Sequence, residues 1–170
     1  MSAKTNLVLI GMPGSGKSTV GVILAKSTSH DFIDTDVLIQ SQQQQSLQNI
    51  MDTQGYLALR EIEEQALLGL NLDNHIISTG GSAVYSEAAM HHLKQSSLIV
   101  FLNVSQSTLN KRISNYETRG IAKRPEQSFA ELFQERSLLY KRYADITIHS
   151  DEMTQDEVCE AILKHLPASA

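Results

Sequence analysis

Short apolar runs and amphipathic stretches alternate along this chain. The runs are Asn6-Leu7-Val8-Leu9-Ile10, Phe32-Ile33, Ile76-Ile77-Ser78, Leu98-Ile99-Val100-Phe101-Leu102 and Ile146-Thr147-Ile148. They are short and largely unbroken by polar residues, the pattern of parallel strands buried on both faces. Between them, apolar residues recur at helical spacing over about residues 18–29, 37–50, 56–71, 86–95, 106–115, 128–143 and 154–165. Strand alternating with helix predicts a three-layer α/β fold, a central five-stranded parallel sheet with helices on both faces. With three prolines, no repeats and no linker-like stretch, residues 1–170 read as one domain. Ser41 to Ser46, holding four consecutive glutamines, is expected to be a solvated helix face. Residues 115–127 carry Arg119, Gly120, Lys123, Arg124 and Pro125 with little apolar periodicity. They are expected to form a long mobile loop of the kind that closes over a ligand.

Composition narrows the class. Hydrophobic residues make up 41% and charged residues 19%, the balance of an ordinary soluble globule. No apolar run approaches the ~18 residues a membrane span requires, and the chain enters its first strand almost at once, leaving no room for a signal peptide. A cytoplasmic location is expected. The single cysteine, Cys159, excludes an internal disulfide and reads as a helix packing residue, and the six histidines lack ligand spacing, so no zinc is assigned. A net charge of −5 argues against nucleic acid as a partner. The bases are nevertheless clustered: eight of fourteen Lys and Arg lie between Lys111 and Arg142, a distribution suited to an anionic ligand. With no exposed apolar stripe, a monomer is expected.

The most specific motif is Gly11-Met12-Pro13-Gly14-Ser15-Gly16-Lys17-Ser18-Thr19, which fits G-x-x-x-x-G-K-[ST] between a strand and a helix. Such a loop turns successive backbone N–H groups, and the positive end of the following helix, toward one anion. Gly14, Ser15, Gly16, Lys17, Ser18 and Thr19 are therefore the candidate nucleotide contacts. Lys17, expected to be exposed to ligand, would reach the β- and γ-phosphates of ATP, and the Ser18 hydroxyl would hold Mg²⁺.

Other pieces point to an acceptor. Phe32-Ile33-Asp34-Thr35-Asp36 ends a strand with carboxylates at i and i+2, on one side if the strand continues. Asp34 could then orient water on Mg²⁺, with Asp36 accepting a hydrogen bond or proton from a substrate hydroxyl. Alternatively, Asp36 is a helix N-cap. Arg60 stands on an otherwise apolar helix with Glu63 one turn on, Gly80-Gly81 follows a strand where backbone can approach a ligand, and Arg136 opens an amphipathic stretch.

Taken in order, these residues resemble the shikimate kinase family over nearly the whole chain. The resemblance lies in the GMPGSGKST loop, the FIDTD strand end and the S-L-x-x-I-M-x-x-x-G-x-x-x-L-R segment ending at Arg60. It continues in the STGGS turn, Arg124-Pro125 and the R-x-x-L-Y-x-x-x-A-D block from Arg136. It implies a P-loop kinase fold with a mobile lid at about 115–127 and an acceptor-binding segment at about 34–62. The implied activity is transfer of a phosphoryl group from ATP to the 3-hydroxyl of shikimate. It further implies Asp34 on the Mg²⁺ side, Asp36 on the substrate hydroxyls, Arg60 and Arg136 on the substrate carboxylate, and backbone contacts from Gly80 and Gly81. Arg124 would close over the phosphates and Arg112 would lie against the adenine. Two arginines suit forked recognition of a planar carboxylate.

The chain departs from the family pattern where the acceptor pocket is shaped. Met51 and Leu59 stand where phenylalanine is usual, Ser82 replaces a third glycine, and Glu126-Gln127 follows Arg124-Pro125 in place of leucines. A kinase of another hydroxy-acid, gluconate-like, and a nucleotide-binding regulatory module that transfers nothing are the competing readings. The hydroxyl-orienting Asp36 argues against the second.

Overall fold

The structure, a computed structural model, describes residues 4–115 and 118–166. Five strands, β1 (Asn6–Ile10), β2 (Asp31–Asp34), β3 (His75–Ser78), β4 (Ser97–Asn103) and β5 (Ile146–His149), form one sheet. Its order is β2-β3-β1-β4-β5 and every pairing is parallel. Every residue of β1 is buried, and its alternate side chains serve two separate cores, as the two-residue period of a strand dictates. Leu7 and Leu9 pack with Val20 and Leu24 of α1 (Lys17–Thr28) and with Val158, Cys159 and Ile162 of α8 (Gln155–His165). Val8 and Ile10 pack on the other face with Met90 and Leu93 of α5 (Glu87–Ser96) and with Leu132 and Tyr140 of α7 (Phe129–Tyr143). Cys159 is thus a packing residue.

From β1 the chain moves to one side of the sheet through β2 and β3, then crosses to the other side for β4 and β5. That reversal opens a crevice at the carboxyl end of β1, the usual ligand position in such sheets.

A third core of Ile39, Ile50, Leu59 and Ala66 joins α2 (Thr35–Gln43), α3 (Leu47–Gln54) and α4 (Tyr56–Leu68) beside that crevice. Here the structure corrects the helix expected over 37–50. Gln44 adopts φ 54 and closes α2, and Ser46 caps α3 by accepting the Asn49 N–H at 3.1 Å. The glutamine run therefore ends one helix and leads into a corner. The helix expected to reach 115 stops earlier, as α6 (Gln106–Arg112). Asp145, at the end of the R-x-x-L-Y-x-x-x-A-D block, serves the sheet by accepting the Ile99 N–H at 2.9 Å. No helix among the described residues is long and apolar enough to cross a membrane.

Candidate active site

The Gly11–Thr19 loop joins β1 to α1, and Gly16 caps the helix at φ 94, a left-handed conformation that glycine adopts without strain. No side chain caps the helix, so its first N–H groups remain available to an anion. Lys17 is buried, against the expectation of an exposed side chain. Its Nζ donates to the carbonyls of Gly11 (2.8 Å) and Met12 (2.9 Å) and lies 3.5 Å from Ser15 Oγ. Burial lowers its pKa to about 8, with the nearby Asp36 pulling the other way.

Asp34 divides its two oxygens between two tasks. One accepts the N–H groups of Asp36 (2.9 Å) and Val37 (3.3 Å), capping α2, and the other accepts the Ser18 hydroxyl at 2.5 Å. The two aspartates do not share a strand, because β2 ends at Asp34 and Asp36 lies in the first turn of α2. The N-cap is Asp34 and not Asp36, which leaves the Asp36 carboxylate facing the crevice. Burial raises its pKa, and Asp34 raises it further.

Opposite Asp36 stands Glu63, a buried acid on α4. A side chain at Gly80 would collide with both carboxylates, meeting Asp36 Oδ1 at 2.7 Å, so glycine there keeps the space between the acids open. Ser82 donates its hydroxyl to Glu63 Oε2, while Glu63 Oε1 has no hydrogen-bond partner. The pKa of Glu63 is raised to about 7, by burial first and by Asp36 second. Tyr140 donates to the Gly81 carbonyl at 2.6 Å and pins the glycine turn from below.

Arg136, in the middle of α7 and 1% exposed, donates to the Ala122 carbonyl at 2.8 Å. Arg60 donates to the same oxygen at 3.3 Å, and the Nε of each arginine is buried without a partner. Neither has a carboxylate within ion-pair distance among the described residues.

A cavity of about 400 Å³ gathers most of these groups. Gly14, Gly16, Lys17, Ser18 and Thr19 line one end, and Asp36, Glu63, Gly80, Gly81, Ser82 and Arg136 the other. Arg112 also lines it, donating to the Gly14 carbonyl at 3.4 Å. Several expected residues lie elsewhere. Arg60 borders a neighbouring cleft with Tyr85 and Ser86. Of the two positions where phenylalanine is usual, Met51 packs against the third core and Leu59 reaches the cavity wall.

Arg124 does not line the cavity; it pairs with Glu135 at 3.4 Å. Arg119 of the same segment does line the cavity, and its Nη1 would lie 3.8 Å from a Cβ at Gly14. The signal for it was the apolar pair Ile121-Ala122, which is buried and anchors the segment. The middle of 115–127 is docked, Gly120 donating its N–H to Gln48 Oε1 at 2.8 Å and packing on Leu47, while Thr118, Arg119 and Arg124 to Glu126 are exposed. Tyr116 and Glu117 lie outside the described residues.

Glu63, Tyr85 and Tyr140 were not among the expected site residues. Glu63 was accessible in principle, three residues after Arg60 and so on nearly the same helix face.

A parallel sheet with a phosphate-binding loop after its central strand, a buried lysine in that loop and a facing pair of acids defines a P-loop kinase. The comparisons with known proteins narrow it. The shikimate kinase family profile matches residues 13–167. The shikimate kinase of Sulfurihydrogenibium sp. is 35% identical over 159 residues, 93% of this chain and 95% of that protein. Among solved structures, shikimate kinase from Aquifex aeolicus superposes with a TM-score of 0.81 at 32% identity, covering 94% of each chain. Shikimate kinase from Acinetobacter baumannii in complex with shikimate superposes with a TM-score of 0.86 at 27% identity, covering 94% of this chain and 91% of that one. The chain belongs to the shikimate kinase family, and it is a phosphotransferase acting on an alcohol group.

Proposed function

We propose that this enzyme transfers the γ-phosphoryl group of ATP to the 3-hydroxyl of shikimate. The observation that carries the acceptor class is the convergence of Arg60 and Arg136 on one carbonyl oxygen. Two cations, one of them wholly buried, sharing one neutral carbonyl and having no carboxylate partner among the described residues, suit a carboxylate that would bring two oxygens and a charge.

The γ-phosphoryl would lie between Lys17 and Asp36. Asp36 would orient the attacking hydroxyl and accept its proton as the new O–P bond forms and the bond to the β–γ bridging oxygen breaks. Lys17 would exchange its two loop carbonyls for phosphate oxygens, and the backbone N–H groups of Gly14 to Thr19 would cradle the β-phosphate. Arg119 supports the lid role better than Arg124, because it already lies beside the loop. Arg112, which donates to the Gly14 carbonyl, would contact the nucleotide. Positioning and electrostatics, rather than covalent chemistry, would supply the rate.

Ser18 and Asp34 fit Mg²⁺, being a hydroxyl and a carboxylate already in contact. Among the described residues no group of three acidic, histidine or cysteine side chains could hold a metal alone, which suits an ion that keeps waters and takes substrate phosphates. Bound there, it would neutralise charge on the phosphate oxygens.

A second reading, an acceptor related to shikimate, is favoured by Leu59 on the cavity wall and by Ser82 on Glu63. The test is ADP release with shikimate, quinate and gluconate as acceptors. A kcat/KM for shikimate well above the others supports the proposal, and preference for another acid overturns it.

A further inference from the structure

Arg60 is held by aromatic faces. Its guanidinium carbon lies 3.6 Å from the ring centroid of Tyr85 and 5.1 Å from that of Tyr56. The Tyr85 ring also lies 5.5 Å from the Arg136 guanidinium, so one aromatic ring touches both cations. The Tyr85 hydroxyl in turn donates to Glu135 Oε1 at 2.6 Å, and that bond holds the Glu135 carboxyl below its usual pKa. Glu135 Oε2 receives Gln127 at 3.2 Å and Arg124 at 3.4 Å. Tyr85 is therefore fixed at its hydroxyl end, with Arg136 beside it, and presents its ring to Arg60.

A carboxylate in that place would also hold Arg60, but it would spend the charge. A π face restrains the guanidinium plane while leaving its N–H edge and its net charge unspent. The edge is in fact poorly used: Arg60 Nη2 reaches Ala122 at only 3.3 Å and Nε is buried without a partner.

We infer that Tyr85 is a positioning residue for acceptor recognition, its Glu135-anchored ring holding Arg60 so that a fully charged guanidinium edge is presented to the acceptor carboxylate. This rests on the assignment of Arg60 and Arg136 to that carboxylate. It accounts for Arg124 and Gln127, which steady Glu135 instead of lining the cavity.

The test compares kcat/KM for shikimate and for its neutral carboxamide, in the wild type, Tyr85→Phe, Tyr85→Leu and Tyr85→Met. Tyr85→Phe keeps the ring and should keep most of the preference for the carboxylate. Tyr85→Leu and Tyr85→Met lack a π face, and either suffices if the other does not fold. Each should raise KM for shikimate about tenfold, the size of one partly desolvated cation–π contact. The kcat and the KM for ATP should stay within about threefold of wild type. The preference for carboxylate over carboxamide should fall by the same tenfold, a change that a general loosening of the fold would not produce. A wild type without that preference would refute the arginine assignment itself. A wild type with it, and Tyr85→Leu or Tyr85→Met keeping it in full, would overturn only the role of Tyr85.

Discussion

Arg60 of α4 and Arg136 of α7 donate to the same oxygen, the carbonyl of Ala122. That carbonyl belongs to the segment that also carries Arg119, so the groups proposed for the acceptor and for the phosphates meet through one short stretch of backbone. The two arginines are not equivalent. Arg136 lines the cavity and is buried, whereas Arg60 is half-buried and borders the neighbouring cleft. Arg136→Leu should weaken acceptor binding by about 2–5 kcal/mol, the cost of leaving a desolvated carboxylate half-paired. Arg60→Leu should fall toward the lower end of that range. ATP affinity should hold in both, and calorimetric titration with each ligand separately would measure it. Loss of ATP affinity with acceptor binding intact would mean that the arginines serve the nucleotide.

Lys17 costs stability in order to be where it is. Its folded pKa of about 8 lies below the ordinary 10.5, so the folded state disfavours the charged form. That penalty is fully present below pH 8 and fades as pH rises toward 10.5. Lys17→Met should therefore keep or raise the thermal midpoint at pH 7 while lowering turnover at least about 10²-fold, as expected when a transition-state charge contact is lost. A folded variant with near-normal turnover would defeat the kinase assignment.

The choice between Arg119 and Arg124 is direct. Arg119→Ala should reduce kcat about 10²-fold with little effect on acceptor KM. Arg124→Ala removes an exposed ion pair with Glu135 and should change kcat less than about threefold. The reverse ranking would restore Arg124 as the lid arginine.

Glu63 should leave a signature in the pH dependence of stability. Its pKa rises from 4.5 to about 7 on folding, so between those values the folded state holds a proton that the unfolded state has released. Stability should fall as pH rises through that window, by up to a few kcal/mol. Glu63→Gln should flatten that slope in denaturant titrations at pH 4.5 to 7.5. An unchanged slope would show that Glu63 ionises normally.

Leu59 and Met51 separate into two effects. Leu59→Phe adds volume to the cavity wall and should change acceptor preference, while Met51→Phe enlarges a packed core and should cost about 1–3 kcal/mol of stability with little change in preference. Comparing kcat/KM for shikimate and quinate in the two variants, alongside their melting temperatures, would separate them. Equal shifts in acceptor preference would place Met51 at the pocket after all.

The sheet and the phosphate loop were legible in the sequence because each is written locally. All five strands fall on the apolar runs, and the glycines and lysine of the loop act within nine consecutive residues. The placement of the acceptor groups was not local. Whether Asp34 or Asp36 caps α2 depends on where β2 stops. Arg119 lines the cavity instead of Arg124 because Ile121 and Ala122 are buried and carry the preceding residues with them, while Glu135 retains Arg124. Lys17 is buried because the fold wraps its own loop around it, and Ser82 reaches Glu63 from a different element. A sequence fixes which residues can take such parts through period, turn chemistry and charge. Only packing decides which of them meet, because contacts between distant segments depend on how the cores bring their helices and loops together.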